Sequence, residues 1–332
     1  MVRVALIGLG YWGPNYARVV TELPDAELAV VCDRDPAALE FIRARAGSAR
    51  RTTDLDEALG SDVDAVIVAT PTSTHSAIAG AALAAGKHVL CEKPLASTVA
   101  ECDELIAAAD AADVVLFTGH TFLFNPAVRR MRELIEQGDI GSLLYAHSSR
   151  TGLGPIRQDV NALWDLAPHD LSIMDHLIKS SPEAVVATGQ GHLNGHEDVA
   201  FMTLYFPEKV IAHINVNWLS PVKVRTTLIG GEKRMIVWND LEADEKLKVY
   251  DKGVKITSRE GVYELLVSYR SGDMWSPQLE QVEALRQELA YFVDCVTTGQ
   301  EPFNNGCAGL RVVRMLEAAS ESLSRKGAFV RL

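Results

Sequence analysis

Val2-Arg3-Val4-Ala5-Leu6-Ile7-Gly8-Leu9-Gly10-Tyr11-Trp12-Gly13 is the stretch that decides the fold. An apolar run, Val2–Ile7, passes directly into G-x-G-x-x-G, and Trp12–Thr21 then reads as a helix. The glycine string alone is common. Between a strand and a helix each glycine has a reason to be there. Gly8 permits the tight turn, Gly10 lets a pyrophosphate approach the backbone, and Gly13 allows close packing of helix on sheet. The helix N-terminus adds amides and the positive end of its dipole. Tyr11 and Trp12 complete the loop and are read with it as cofactor contacts. Asp33 lies 20 residues after Gly13, where an acid accepts from the adenosine ribose hydroxyls. A carboxylate there repels a 2′-phosphate and favours NAD. Arg34 beside it leaves NADP open, because an arginine can accommodate that phosphate.

Outward from this stretch the alternation continues. Glu27–Cys32, Ala65–Ala69, His88–Cys91 and Val114–Thr118 read as strands, and Pro36–Ala46, Ser73–Ala85 and Ser97–Ala109 as helices. Ala65–Ala69 and His88–Cys91 are apolar throughout, as in strands covered on both faces. The pattern predicts an α/β Rossmann domain, a doubly wound parallel sheet. After a helix at Pro126–Gln137 the pattern changes. Leu144–Arg150, Ala184–His192, Val199–Phe206, Val210–Leu219, Val224–Ile229, Arg234–Asn239 and Lys246–Tyr250 read as strands with short turns between several of them. One helix, Asp170–Lys179, interrupts them, and Leu279–Thr297 and Gly309–Arg325 close the chain. This predicts an α+β domain with an open, mostly antiparallel sheet. The expected division is 1–121 and 122–332.

The chain has 332 residues, 48% of them apolar and 23% charged, with a net charge of −12. Two domains fit that length. Disorder, collagen and coiled coil are excluded by composition, and the acidic balance argues against nucleic acid. Residues 1–120 carry 9 basic and 17 acidic side chains, so the deficit is concentrated in the first domain. Cys32, Cys91, Cys102, Cys295 and Cys307 form no C-x-x-C pair and no zinc spacing. An odd count without a framework suits a reducing compartment. Met1 runs at once into the first strand with no leader pattern, and the longest apolar stretch, Ala77–Ala85, is too short to span a bilayer. The expectation is a cytoplasmic protein with no membrane partner.

Three further segments carry chemistry. Thr70-Pro71-Thr72-Ser73-Thr74-His75 follows a strand on the carboxyl edge of the sheet, where open α/β sheets bind ligands. Thr70, Thr72 and His75 can touch the cofactor there, or Thr72 or Ser73 can serve as a helix cap. Glu92-Lys93-Pro94 follows the next strand. A lysine at that edge can orient a hydroxyl or carbonyl oxygen and stabilise developing negative charge. Burial can lower its pKa into the range of acid–base work. The bland alternative is an exposed turn. In Trp164-Asp165-Leu166-Ala167-Pro168-His169-Asp170, Asp165 and His169 are four apart and share a face if the segment is helical. An aspartate can fix an imidazole's tautomer and stabilise its cation, as a proton acceptor for an alcohol requires. Asp165 as a cap and His169 as a packed core residue is the competing reading. A metal site with His176 or Asp170 is poorly spaced, and none is expected.

The glycine string, Glu92-Lys93-Pro94 and the Asp165…His169 pair, in this order, resemble the glucose–fructose oxidoreductase/inositol dehydrogenase (Gfo/Idh/MocA) family. Leu289-Ala290-Tyr291-Phe292 and Gly309-Leu310-Arg311-Val312-Val313 resemble its closing helices. The resemblance covers essentially the whole chain. It implies oxidation or reduction of a sugar or cyclitol, Glu92 and Lys93 beside the cofactor, and Lys93 and His169 as the acid–base pair with Asp165. It also implies a homodimer or homotetramer formed through the C-terminal sheet. Ala167 stands where the family's D-x-G-x-H pattern has glycine. Arg150-Thr151-Gly152-Leu153-Gly154-Pro155-Ile156-Arg157, Asp159-Val160-Asn161 and the Trp164–Asp170 cluster are similar to the nucleotide-sugar branch, which acts at C3 of UDP-N-acetylglucosamine, its uronic acid or deoxysugar nucleotides. That likeness implies substrate contacts from Arg150, Arg157, Asn161, Trp164 and Asp170. The two arginines would answer a diphosphate or a carboxylate, or are ordinary solvated residues. An inositol or free-sugar dehydrogenase, an NAD-dependent glycosidase and a non-catalytic dinucleotide sensor are the alternatives. Lys93, Asp165 and His169 together argue against the last.

Overall fold

The computed structural model describes residues 1–154, 156, 160–193, 195–251, 253–256, 267–270 and 272–332. They form two compact units, one of Met1–Phe124 with Val282–Glu317, the other of Asn125–Gln281 with Ala318–Leu332.

In the first unit β1 (Val2–Ile7) lies between β2 (Ala26–Cys32) and β4 (Ala65–Val68), parallel to both. β3 (Arg50–Thr52), β5 (His88–Glu92) and β6 (Leu116–Gly119) complete a parallel sheet in the order β3-β2-β1-β4-β5-β6. All four side chains of β4 are buried, as expected of a strand with helices on both faces. The helices are α1 (Gly13–Glu22), α2 (Pro36–Phe41), α3 (Arg43–Ala46), α4 (Leu55–Ala58), α5 (His75–Ala84) and α6 (Val99–Ala112). α6 starts on a capping box in which Thr98 and Glu101 satisfy each other's backbone, a local device that fixes its entry. The strand order reverses between β1 and β4, so the carboxyl edge at that point is the crevice where such sheets bind ligands.

Strand ends fall within two residues of the sequence reading, the ordinary scatter of such boundaries. In this unit the edge strand β3 and the one-turn α4, which Asp54 caps, carry no apolar run and are absent from that reading. The expected helix Pro36–Ala46 is broken at Ile42, whose ψ of −12° lies off the helical value. Ser73–Ala85 resolves into a 3₁₀ turn at Thr72–Thr74 followed by α5, and neither is capped by a side chain.

The second unit opens with α7 (Pro126–Glu136) and β7 (Leu143–Thr151), followed by α8 (Ala162–Ile178). Then come β8 (Ala184–Gln190), β9 (Val199–Tyr205), β10 (Ile211–Asn217), β11 (Val224–Gly231), β12 (Met235–Asn239), β13 (Leu247–Tyr250), β14 (Gly253–Ile256), β15 (Val267–Arg270) and β16 (Met274–Trp275). With β17 (Val330–Arg331) the large sheet runs β16-β13-β12-β11-β7-β10-β9-β8-β17, and β14 pairs with β15 apart from it. Every pair in the large sheet is antiparallel except β7 with β10. Strand burial alternates, and α8 packs on β7, β9 and β10. The opposite face shows Tyr145, Phe201, Tyr205 and Ile211, with the His147 and His213 rings stacked 5.8 Å apart.

Two corrections concern helices. α8 begins at Ala162, eight residues before the expected Asp170, and Pro168 sits inside it. The proline removes one backbone hydrogen bond, but Asn161 caps the start by accepting from the Trp164 amide at 3.0 Å, and buried residues line the helix on both sides of Pro168. Ala167 is therefore a fully buried residue of a helix interior, where alanine is favoured over glycine. At the tail, α9 (Ala284–Thr298) and most of α10 (Gly306–Ser324) belong to the first unit rather than to the domain 122–332 drawn from the sequence. Phe117 of β6 packs against Tyr291 and Phe292, and the Asn304 amide donates to the Thr118 carbonyl at 2.8 Å.

Candidate active site

The β1–α1 turn is built for a close visitor. Gly8 has φ +96°, and a Cβ on it would lie 2.7 Å from the backbone of Ala69. A Cβ on Gly13 would strike the Gly8 carbonyl oxygen. Only glycine fits either place. A Cβ on Gly10 would meet nothing within 4 Å, so the turn is open on that side. No side chain caps α1. Tyr11 and Trp12 stand exposed beside the turn, edge to face with centroids 6.1 Å apart. Asp33, at the end of β2, accepts from the Leu9 amide at 2.7 Å and from the Asp35 amide at 2.9 Å. Its carboxylate thus ties the strand end to the glycine turn. Arg34 next to it is exposed. An uncapped helix start, a glycine turn with one open side and an acid at the second strand fit a dinucleotide.

Along the same edge, His75 is 1% exposed, with Nδ1 2.8 Å from the Pro94 carbonyl and Nε2 2.9 Å from the Thr70 carbonyl. The ring, read from sequence as a cofactor contact, staples the loop after β4 to the loop after β5. Burial lowers its pKa. Thr70 accepts from the Thr74 hydroxyl at 2.8 Å, and Thr72 is half-buried in its 3₁₀ turn. Glu92 is buried too. Its Oε1 accepts from the Tyr16 hydroxyl at 2.8 Å and its Oε2 from the Lys93 amide at 3.0 Å. Glu92 therefore anchors the turn that presents the half-buried Lys93, and the Lys93–Pro94 peptide is cis.

Behind Glu92 lies a second buried carboxyl. Glu288 of α9 is 0% exposed and accepts from the Thr121 hydroxyl at 2.7 Å. Burial, aided by the charge of Glu92, pushes its pKa well up. Burial and the same glutamate push the Tyr16 phenol up. The sequence reading missed Tyr16 and Glu288. Leu285, Glu288, Leu289 and Phe292 follow helical spacing, and an acid within that apolar stripe was the available signal.

In the second unit, Asp165 and His169 stand one turn apart on α8, both half-buried. Asp165 Oδ2 accepts from the Trp218 indole at 3.2 Å. Asn161 donates its amide to Glu197 at 2.8 Å, and the Trp164 indole donates to Ser320 at 2.8 Å. Arg150 and Asp170, both read as substrate contacts, meet each other. Arg150 Nε lies 2.7 Å from Asp170 Oδ2 and Nη2 3.2 Å from Oδ1, and the Ser148 hydroxyl donates to Oδ1 at 2.6 Å. A guanidinium expected to answer a substrate anion is held by an internal carboxylate. Arg157 and Asp159 lie outside the described residues. Among the described residues no three His, Cys, Asp or Glu side chains cluster as metal ligands. Nor, among them, is any helix long and apolar enough to cross a membrane.

Residues 2–120 match the sequence model of an oxidoreductase family with an NAD-binding Rossmann fold, GFO_IDH_MocA, and residues 128–237 match the GFO/IDH/MocA C-terminal domain. The chain belongs to the Gfo/Idh/MocA family. Its first unit is the NAD-binding Rossmann domain of an oxidoreductase. An uncharacterized oxidoreductase of Streptococcus pneumoniae is 33% identical over 64% of this chain, which spans 61% of that protein. Myo-inositol 2-dehydrogenase of Thermotoga maritima is 27% identical over 98% of this chain and 97% of its own length. A 2,7-anhydro-N-acetylneuraminate hydratase of Mediterraneibacter gnavus is 33% identical over 75% of this chain and 70% of its own. Among solved structures, UDP-N-acetylglucosamine 3-dehydrogenase of Acidithiobacillus ferrooxidans superposes with a TM-score of 0.84 at 25% identity, covering 98% of each chain. In this Gfo/Idh/MocA member the carboxyl edge of the Rossmann sheet, with its glycine turn and Lys93, is the ground on which the cofactor chemistry is to be placed.

Proposed function

We propose that this oxidoreductase transfers a hydride between NAD and C3 of a nucleotide-linked sugar such as UDP-N-acetylglucosamine or its uronic acid. The supporting observation is the likeness over 98% of both chains to a UDP-N-acetylglucosamine 3-dehydrogenase. Bound NAD supplies the hydride acceptor or donor. In the oxidative direction Lys93 donates a hydrogen bond to the sugar oxygen and stabilises charge developing on it. His169 takes the hydroxyl proton, and Asp165 on the preceding turn supports the imidazolium. Asn161, Trp164 and Asp170 shape the ground around His169. The outer face of the large sheet, which carries Tyr145, Phe201, Tyr205 and Ile211, is our proposed homodimer or homotetramer interface, to be checked by light scattering of the full chain.

The test is steady-state turnover of UDP- and TDP-sugars against free hexoses and inositols at matched concentration. Nucleotide sugars are expected to turn over faster, and Arg157→Ala to raise their KM while leaving NAD affinity unchanged. Faster turnover of inositols, with no response to Arg157→Ala, refutes the nucleotide-sugar reading in favour of a cyclitol or free-sugar dehydrogenase, a reading supported by the Thermotoga relative. Lys93→Ala and His169→Ala are each expected to slow turnover by ~10²-fold or more with NAD binding retained.

A second reading is favoured by the hydratase relative. In this reading of the present chain oxidation is transient, the hydride returns within the same turnover, and the net reaction is not a redox change, as in an NAD-dependent glycosidase. NADH accumulating in proportion to product supports the dehydrogenase; product without NADH supports the second reading.

A further inference from the structure

The carboxyl edge holds one buried side chain that no role above uses. The β5–β6 register pairs Glu92 with Gly119, the last residues of two neighbouring parallel strands, and Lys93 and His120 are the residues that directly follow them. The His120 ring is 1% exposed, and neither of its nitrogens has a hydrogen-bond partner among the described residues. The other imidazoles of this unit have partners: a carbonyl oxygen faces each nitrogen of His75, one of them accepting from the ring N–H, and His88 Nδ1 accepts from the Val115 amide at 3.0 Å. Buried polar groups left unpaired are rare and costly. An imidazole kept in this state calls for a partner that arrives during the reaction cycle. Burial, then the positive charges of Lys93 and of Arg311 on α10, bring its pKa down to about 3. The ring is accordingly neutral, with one N–H and one lone pair.

We propose that His120 is a positioning residue for Lys93: in the enzyme loaded with cofactor and sugar, its lone pair accepts from the Lys93 ammonium and fixes the direction in which that ammonium meets the substrate oxygen. The proposal rests on the role given to Lys93 above. A neutral acceptor suits this task. It holds the ammonium without cancelling the charge that the reacting oxygen needs, whereas a carboxylate at the same place would compete with that oxygen.

The test compares His120→Phe, His120→Asn and Lys93→Ala in the full chain, by turnover with NAD and the fastest substrate of the panel above, and by thermal unfolding. His120→Phe is expected to lower kcat about tenfold or more, the scale of one charge-assisted hydrogen bond, with sugar KM and NAD affinity little changed. Its Tm is expected to equal or exceed the parent's, because two unpaired polar atoms leave the interior. His120→Asn keeps an acceptor oxygen and is expected to recover most of the turnover. Parental kcat in His120→Phe, with Lys93→Ala inactive, overturns the inference and leaves the Lys93 reading standing. Full turnover by Lys93→Ala removes the reading on which it rests. Equal losses of kcat in His120→Phe and His120→Asn, with Tm lowered in both, show a packing role and overturn it as well. Should His120→Phe fail to fold, His120→Leu is read in the same way.

Discussion

Replacing Arg150 by methionine separates an internal ion pair from a substrate ligand. The Arg150 and Asp170 side chains are 7% and 2% exposed, and two nitrogens of the fork lie 2.7 and 3.2 Å from the carboxylate oxygens. Arg150→Met strands the Asp170 carboxylate in the interior, beside the neutral Ser148 hydroxyl 2.6 Å away. Breaking one partner of a buried pair costs about 3–5 kcal/mol, most of it the uncompensated charge. At about 2–4 °C per kcal/mol for a domain of 150–250 residues, Tm should fall by roughly 6–20 °C. The double variant Arg150→Met/Asp170→Leu removes both charges and should recover most of the loss, because a buried pair exchanged for apolar groups is often neutral. Calorimetry or circular dichroism reads the melting. Sugar KM measured well below the transition should stay near the parental value. An unchanged Tm in Arg150→Met together with a raised KM for nucleotide sugars would refute this reasoning and return Arg150 to the substrate.

Asp33→Ala should weaken NADH binding and narrow the preference for NADH over NADPH in a fluorescence titration; tighter binding of NADPH by the parent would instead promote Arg34 to a phosphate ligand. Gly13→Ala should abolish measurable NAD binding, because the new methyl meets the Gly8 carbonyl oxygen, and calorimetric titration at parental affinity would contradict it. Acid should destabilise both units. His120 and His176 have pKa values lowered by burial to about 3 and about 4, from an ordinary 6.5. Between those values the unfolded chain binds protons that the folded one does not. Each histidine therefore removes up to about 1.4 kcal/mol per pH unit as pH falls from 6.5 toward its folded pKa. Urea midpoints from pH 8 to 4 should show this slope, and it should shrink in His120→Phe.

Much of the fold was legible because its signals are local. A strand covered on both faces must be apolar, so β1, β4 and β5 stand out as runs such as Val2–Ile7. A tight turn against a phosphate must be glycine, so Gly8, Gly10 and Gly13 mark the dinucleotide ground. Asp33 could be placed because its task depends on a spacing along the chain. Where local and tertiary signals conflicted, the local reading failed. The sequence reading starts this helix at Asp170, after Pro168, yet α8 runs through the proline, because cap and flanking burial outweigh one lost hydrogen bond. β3 and α4 are too short and polar to leave a pattern.

What the sequence by itself determined about this protein is the strand–helix order, the glycine turn, and the list of polar residues from which an active site can be drawn. Which polar groups face one another was decided by the tertiary structure alone. Arg150 and Asp170 look like two independent ligands along the chain, and become one buried pair because β7 and α8 bring them face to face. His75 looks like a cofactor contact, and becomes a staple between two loops. Glu288 is remote in sequence from Glu92, yet burial, aided by that charge, pushes its pKa up. The physical reason is common to all three. Burial and charge pairing depend on distances through space, and a chain that returns from residue 282 to its first unit sets those distances only when it folds.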